Sequence, residues 1–566
     1  MGLNATLAMA KQSLEIFGTG IQVSGQNISN AGTPGYIREE LVLNPSAPYR
    51  QGALIVGTGV EISGIQQQID LFLEKRIHSA NTDFAAIDER NTIFKQLENE
   101  IRELSGGDLS TGLNNFLATI NNVVNQPGSI PDREFVINEA EKFAAEISSL
   151  RLRLNDLREV QSVNVENLVT EANQLIDKII DLNPKISKLE ASGLLQSDAG
   201  ALRTQRYDAL NRLSELIPIR YHERSDGAID VFTGSDYLVM AGTSQKLELQ
   251  TNTDRGVVVH DVLLSQTRSN ISHTGGELKG IVEGRDEILG GFVDQLDTYA
   301  SQLIFEFNKI HASGEGTAGF GQITSASRAL DSSATLNSEQ SGLPFQAKHG
   351  SFQIKVTNKS TGITETVTIN VDLDGIGTDT TLDSLASSIN GVANLNSSVS
   401  TDGRLSISAN ADYEFKFSND TSGALAAVGI NTLFTGADSS DISINSLIKQ
   451  NQQFLATGQG GGPSDGSNAV LLAAFSEKPI ESLGGISIDS YYEKIVANLA
   501  QSSASEEALA KGAQTFRDSL MSQREQFSGV SIDEETINVL TYQRAFQSAA
   551  RLVSTIDELF TILLNI

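Results

Sequence analysis

The chain has 566 residues, and its 41 basic against 70 acidic side chains leave a net charge of −29. That length allows roughly three or four domains at about 150 residues each. So acidic a surface repels nucleic acid and anionic membranes, and the lack of cysteine excludes disulfides, thiolate metal sites and a cysteine nucleophile. No apolar run approaches the roughly 18 residues of a membrane span, so no membrane insertion is expected. The N-terminus lacks the basic and apolar regions of a cleaved secretion signal. A soluble protein is expected, cytosolic or exported without signal cleavage.

Both ends carry a helical stripe. At the start, Leu3, Leu7, Ala10, Leu14, Phe17, Ile21, Ser24 and Ile28 alternate spacings of four and three. This is the pattern of a helix that packs one face along another helix. Gly18, Gly20 and Gly25 lower its propensity, each by about 1 kcal/mol relative to Ala. The helix is expected to stop near Asn30 or Gly32, which suit a C-cap, and Pro34-Gly35 has turn chemistry. Short extended pieces follow to about residue 65, broken by prolines and glycines.

Long helices come next. Leu73, Ile77, Ala80, Phe84, Ile87, Phe94 and Ile101 form one stripe, which Gly106-Gly107 should end. After a shorter helix near 113–124, a pattern from about 132 to 190 keeps its stripe through Leu150, Leu168, Ile179 and Leu189. Pro184 should kink or divide that helix. From 219 to 274 the period shortens towards two, as in Ile229-Asp-Val-Phe232, and predicts a small β-rich insert. Helix returns between about 283 and 310. Residues 320–445 turn to Ser, Thr, Gly and β-branched types with short spacings, a separate mostly-β domain. Gln459 to Gly466 reads as a flexible joint, helix resumes by Asp489, and Ser528-Gly529 breaks it.

The last stretch mirrors the first. Val539, Tyr542, Phe546, Ala549, Val553, Ile556, Phe560 and Leu563 alternate three and four without a slip. The two ends read as halves of one coiled-coil-like unit. The expected fold is α+β and multidomain: a long-helix bundle made from both termini, with inserted mostly-β domains. Its expected parts are a terminal domain (1–65 with 525–566), a bundle (66–218 with 275–319 and 476–524), a β insert (219–274), an outer β domain (320–458) and a joint (459–475). Burying eight or nine stripe side chains does not repay the entropy of ordering either end. Both ends are therefore expected to be poorly ordered in a monomer and to fold when copies pack together.

Catalytic and metal chemistry is sparse. The six histidines are dispersed, with no His-x-x-x-His pair, and a zinc site is not expected. Gly314-Glu-Gly316-Thr-Ala-Gly319 matches a dinucleotide fingerprint by letter, but it follows a helix and opens none. Asp372-Leu-Asp374-Gly-Ile-Gly-Thr-Asp379 reads as a β-turn, with a weak calcium loop as the alternative. No catalytic, cofactor or metal residue is assigned.

With these residues in place, a family resemblance emerges. The first helix followed by Asn27-Ile28-Ser29-Asn30-Ala31-Gly32-Thr33-Pro34-Gly35-Tyr36 resembles the shared motif of flagellar rod, hook and hook-associated proteins. Ser528 to Glu535, Tyr542-Gln-Arg-Ala-Phe-Gln547 and Ser554 to Leu559 are similar to the end of the first hook-associated protein, the FlgK type. So are Gly275 to Gly280, Arg285-Asp286, Leu296-Asp297, Asn308 with His311, and Ala427 to Gly436.

The resemblance implies a structural, non-enzymatic part of the bacterial flagellum at the junction between hook and filament. It would be exported unfolded by the flagellar type III apparatus, guided by a chaperone on the C-terminal segment. It would lie outside the cell afterwards and in the cytoplasm before. Implied partners are further copies of itself in a ring-like or helical oligomer, the hook protein and the second hook-associated protein. Leu3, Leu7, Leu14, Phe17, Ile21 and Ile28 would form the N-terminal self-assembly stripe. Val539, Tyr542, Phe546, Val553, Ile556, Phe560 and Leu563 would form the C-terminal stripe, shared with the chaperone. Asn27, Ser29, Asn30, Thr33, Pro34, Gly35 and Tyr36 carry the axial-protein motif. Alternatives are another axial protein (the second junction protein or a flagellin), or a surface protein whose β domain binds or hydrolyses a ligand.

Overall fold

The computed structural model describes residues 2–102, 109–191 and 197–564; the expected helix stop at Gly106-Gly107 lies outside them. The chain forms two compact units: Met1–Ile93 with Glu159–Arg285 and Ala504–Ile566, and Phe94–Arg158 with Asp286–Ser503. These limits differ from the boundaries expected from composition. They cut through three helices, Leu71–Arg102, Ile130–Ala191 and Ile488–Ser528, instead of falling in loops. Helices of 32, 62 and 41 residues are too long to keep one set of neighbours, so contacts partition along them.

In the first unit a helix over Leu3–Asn30 packs along a helix over Ile532–Leu564. Both are continuous helices, where disorder in the single chain was expected. They bury a shared face, and the first helix also contacts the strands Glu39–Pro45 and Val60–Gln67. Those strands pair antiparallel, Glu39 opposite Gln67, with a register shift between Val42 and Leu43. Strands 220–223, 229–233, 236–240 and 243–244 follow one another as a meander, and 247–254 pairs with 257–264. Ile37, Val165, Ile179, Leu210, Val231 and Leu278 share one core with these elements. Part of it is a helix over Gly200–Leu216 that the stripe reading did not separate out.

Pro184 does not divide the 62-residue helix. Its ring is exposed, so the carbonyl it leaves unpaired can meet water. The adjacent Asn183 fixes the helix to the meander: its Nδ2 donates to the Ile229 carbonyl at 2.8 Å and its Oδ1 accepts from the Ile229 N–H at 3.2 Å.

The second unit is built on a ring cluster. Phe307 lies 5.3 Å from Phe116 and 5.4 Å from both Phe434 and Phe475. Two three-stranded antiparallel sheets, ordered 322–324, 405–409, 395–399 and 364–371, 350–358, 413–418, carry the β-rich part. A helix over Leu382–Asn390 is capped by Thr381 and Ser384. Residues 459–475 are not a loose joint. The Asp465 carboxylate accepts from the N–H groups of Gln459 and Gly461, both at 2.7 Å, and Ser467, at 2.9 Å. A helix over Ser467–Ala473 follows, with Asn468 and Leu472 buried. A carboxylate that collects several N–H groups closes a turn that composition alone reads as flexible.

Glu89, on the helix Leu71–Arg102, is pushed up to about 7 by burial, then by Glu277 and Asp88, against Arg212. Its folded pKa exceeds the unfolded value, so its contribution is fully present below about pH 4.5 and is lost as pH rises towards 7. Glu89→Gln is expected to remove that loss. Urea titrations at pH 5 and 8 should show the variant gaining up to about 3 kcal/mol on the native chain at the higher pH. An equal pH response would contradict the assignment.

Candidate assembly interface

Numbers fall along the C-terminal helix as they rise along the N-terminal one. A Cβ on Gly20 would stand 2.9 Å from the ring of Tyr542, and one on Gly18 would stand 3.9 Å from Phe546. The pair is therefore antiparallel. Gly20 has a use that its low propensity hides: without a side chain it lets the Tyr542 ring lie against the helix backbone.

The buried residues of the N-terminal helix are Ala10, Ile16, Gly20, Val23, Ser24 and Asn27; Ala10 and Ser24 belong to the expected stripe, whereas Ile16, Gly20, Val23 and Asn27 each lie one residue before one of its positions. One residue is about 100° around a helix. The expected positions Leu3, Leu7, Leu14, Phe17, Ile21 and Ile28 are thus only partly buried and lie along the flank of the helix pair. The small residue, not the large ones, chose the contact face.

On the C-terminal helix the expected stripe does face its partner through most of its length. Ala549 and Ile556 are buried, and Val539, Tyr542, Val553 and Phe560 are partly buried. Phe546 is 39% exposed and Leu563 63% exposed, so these two stand at the margin or outside it. A further set, Ile537, Leu540, Leu552, Leu559 and Ile562, is exposed. The heptad reading missed it because interleaved apolar sets on one helix leave only the most regular one visible.

The residues 27–36 form the hinge from helix to strand. Asn27 is buried; its Nδ2 donates to the Glu39 carbonyl at 2.8 Å, and its Oδ1 accepts from the Glu39 N–H and the Tyr36 hydroxyl, both at 3.0 Å. Burial, then Glu39 and Glu535, push the Tyr36 phenol upward. The turn closes with the Tyr36 N–H on the Thr33 carbonyl at 3.2 Å. Gly35 carries the left-handed φ of 75°, the type II turn geometry with proline before it. Gly32 is not in that conformation, and the helix instead ends on Ala31 in right-handed geometry. Ser29, Asn30, Thr33 and Pro34 stand on the outer side: Ser29 Oγ and Asn30 Nδ2 bond back to Gly25 and Gln26 carbonyls, and Thr33 Oγ1 reaches Asn30.

Arg38, which the stripes do not mark, ties the hinge to the other end of the chain. Its N–H donates to the Ser528 carbonyl at 2.9 Å. Its guanidinium reaches Glu535 at 2.7 Å and Glu534 at 3.3 Å, and Glu535 is fully buried. A second buried pair, Arg524 with Glu74 at 2.7 Å, joins the helix Ile488–Ser528 to Leu71–Arg102.

Motif residues of the second unit form a separate clasp. Asn308 Oδ1 accepts from the N–H groups of Leu433 and Phe434, and its Nδ2 donates to the Phe434 carbonyl. His311 Nδ1 donates to the Asn431 carbonyl at 2.8 Å while its Nε2 accepts from the Ala456 N–H at 3.1 Å. Burial holds the imidazole neutral, with its pKa down to about 4. The clasp is packing, not chemistry. His349, Asp372 and Asp374 place ligand atoms within 4.8 Å of one another. All three are exposed, and the Leu373 and Ile376 N–H groups already use His349 and Asp374.

Comparison with known proteins bears on this arrangement. Residues 94–323 match the flagellar hook-associated protein FlgK helical domain, and residues 521–566 match the flagellar basal body rod FlgEFG protein C-terminal region. The chain is similar to flagellar hook-associated protein 1 of Escherichia coli (strain K12), 20% identical with 100% of each chain covered. Over its whole length the chain is similar to the FlgK-type hook-associated proteins. Flagellar hook-associated protein 1 of Bacillus subtilis (strain 168) is 21% identical over 99% of this chain and 97% of the relative. A solved structure of the flagellar hook junction protein FlgK from Burkholderia pseudomallei aligns with 81% of this chain and 100% of its own, at 14% identity and a TM-score of 0.49. The matched C-terminal region contains the whole helix Ile532–Leu564.

Replacing Arg38 with Met leaves the Glu535 carboxylate buried without its cation, a loss of about 3–5 kcal/mol when one partner of a buried pair is removed. Hydrogen exchange should quicken over the first turns of the C-terminal helix and stay unchanged in the Phe307 cluster. Unchanged exchange at 532–540 would refute the tie.

Proposed function

We propose that this chain is a structural component of the bacterial flagellum, seated at the junction between hook and filament and needed for the filament to assemble. The observation that carries the reading is the antiparallel terminal pair with its uncovered apolar side chains, on a chain similar throughout to hook-associated protein 1. One helix offers a partly buried flank at Leu3, Leu7, Leu14, Phe17, Ile21 and Ile28; the other offers exposed Ile537, Leu540, Leu559 and Ile562. Two different surfaces that meet between copies make a heterologous contact, which closes into a ring or winds into a helix. A charge of −29 opposes such contact, so burial of apolar area has to supply the attraction.

In this reading the terminal pair forms the inner layer of the axial structure and the β-rich parts face outward. The partners are further copies, the hook protein and the second hook-associated protein. Before assembly an export chaperone covers the exposed residues of the C-terminal segment, and the chain passes from the cytoplasm through the type III apparatus to the extracellular flagellum. The role is structural. The match of 94–323 to the FlgK helical domain favours it over a flagellin or the second junction protein.

A strain lacking the chain is expected to build hooks without filaments. Leu540→Asp with Leu559→Asp, both on exposed positions, should leave the monomer's circular dichroism unchanged and abolish filaments, whereas normal filaments would refute the contact. In the monomer, amides of the terminal helices beyond the Arg38 tie, 3–26 and 541–564, should exchange quickly and those of 130–190 slowly. Equal protection throughout would show that the terminal pair needs no neighbours.

A further inference from the structure

We propose that a groove in the first unit receives the acidic turn 372–379 of a second copy of this chain. The groove encloses about 1180 Å³. Ala86, Ile87, Pro218 and Ile219 give it an apolar lining, and Lys75, Arg220 and Lys279 add cations. Arg90 also lines it but is held by Glu283 at 2.8 Å and Glu506 at 2.7 Å. Lys279 lies 3.6 Å from Glu283, and Asp83 contributes one carboxylate. Lys75 and Arg220 are exposed, and Arg220 donates to the Gly234 carbonyl. On a chain of charge −29, a recess that presents unneutralised cations attracts what the rest of the surface repels.

The turn has the complementary character. Ile376 is 77% exposed, between Gly375 and Gly377, both in left-handed geometry. Asp374 Oδ1 accepts from the Ile376 N–H at 2.8 Å and Asp379 Oδ1 from the Gly375 N–H at 3.1 Å. Those bonds set the turn in advance and leave the second oxygen of each carboxylate for a lysine or arginine, so little ordering entropy remains to be lost on binding. Ile376 would enter the apolar lining while Asp374 and Asp379 meet Lys75 and Arg220. The exposed apolar hairpin tip Leu54-Ile55 has Arg50 in its hairpin and lacks this charge match. The inference rests on the many-copy assembly proposed above.

The chain has no native cysteine, so introduced thiols report unambiguously. Ser79→Cys lines the groove and Thr378→Cys lies in the turn; neither removes a group invoked here. Cells producing both variants should yield hook–filament particles with a disulfide-linked band at twice the chain mass. Pairing Ser79→Cys with Ile363→Cys, an exposed position elsewhere, should yield none. Particles that form without the first cross-link overturn the inference but leave the junction role standing. If no particles form, the purified full chain decides. A labelled peptide of residues 370–381 should bind saturably, at least ten-fold more weakly to Lys75→Glu with Arg220→Glu and more weakly with added salt. Absence of saturable binding overturns the inference.

Discussion

The contact that orders the terminal part of the first unit is the antiparallel pairing of two helices from opposite ends of the chain. It is fixed by a residue with no side chain: Gly20 admits the Tyr542 ring to the helix backbone, and that approach sets which face of the N-terminal helix is covered. Polar groups then lock the end of the pair. Asn27 satisfies both backbone groups of Glu39, and Arg38 spans from the hinge to Ser528 and the buried Glu535. A buried carboxylate is tolerated only with such a partner, so the start of the last helix depends on a residue near the start of the chain.

A similar economy recurs in the second unit, where several buried polar side chains bind backbone groups of irregular segments. Arg133 is fully buried and directs its guanidinium to the carbonyls of Pro127 and Leu455, at 2.8 and 2.7 Å; burial lowers its pKa to about 10. His311 and Asn308 do likewise with the segment 431–456. Buried polar groups must be satisfied, and irregular segments offer the backbone groups that regular strands have already used. Residues that look like candidates for chemistry are here the fasteners of loops.

The terminal pair is asymmetric, and the assembly role proposed for it rests on that. A helix pair that buried every apolar side chain would be a finished domain. Here one helix keeps a partly covered flank and the other keeps Ile537, Leu540, Leu559 and Ile562 in the open. On a strongly acidic chain, exposed apolar surfaces of this kind are where burial of apolar area can outweigh the charge repulsion that acts everywhere else.

Periodicity by itself determined that both ends are helices, that β-rich segments interrupt long helices, and that 27–36 is a turn between helix and strand, because these properties are local. It also marked Ala549, Val553 and Ile556 correctly, since a regular stripe on a helix with one dominant neighbour faces that neighbour. Ala10 and Ser24 of the N-terminal stripe are buried as well, but only the tertiary structure decided that Ile16, Gly20, Val23 and Asn27, each one residue off the stripe, share that face, because a close approach depends on the shape of the partner. Distance along the chain hid Arg38 with Glu535 and His311 with Asn431, pairs whose members have no local pattern. The turn at Asp465 looked loose because glycine-rich composition reports backbone freedom but not the carboxylate that removes it. The unit boundary crossed helices instead of linkers for a related reason: composition marks where the chain bends, whereas contacts decide where a core ends.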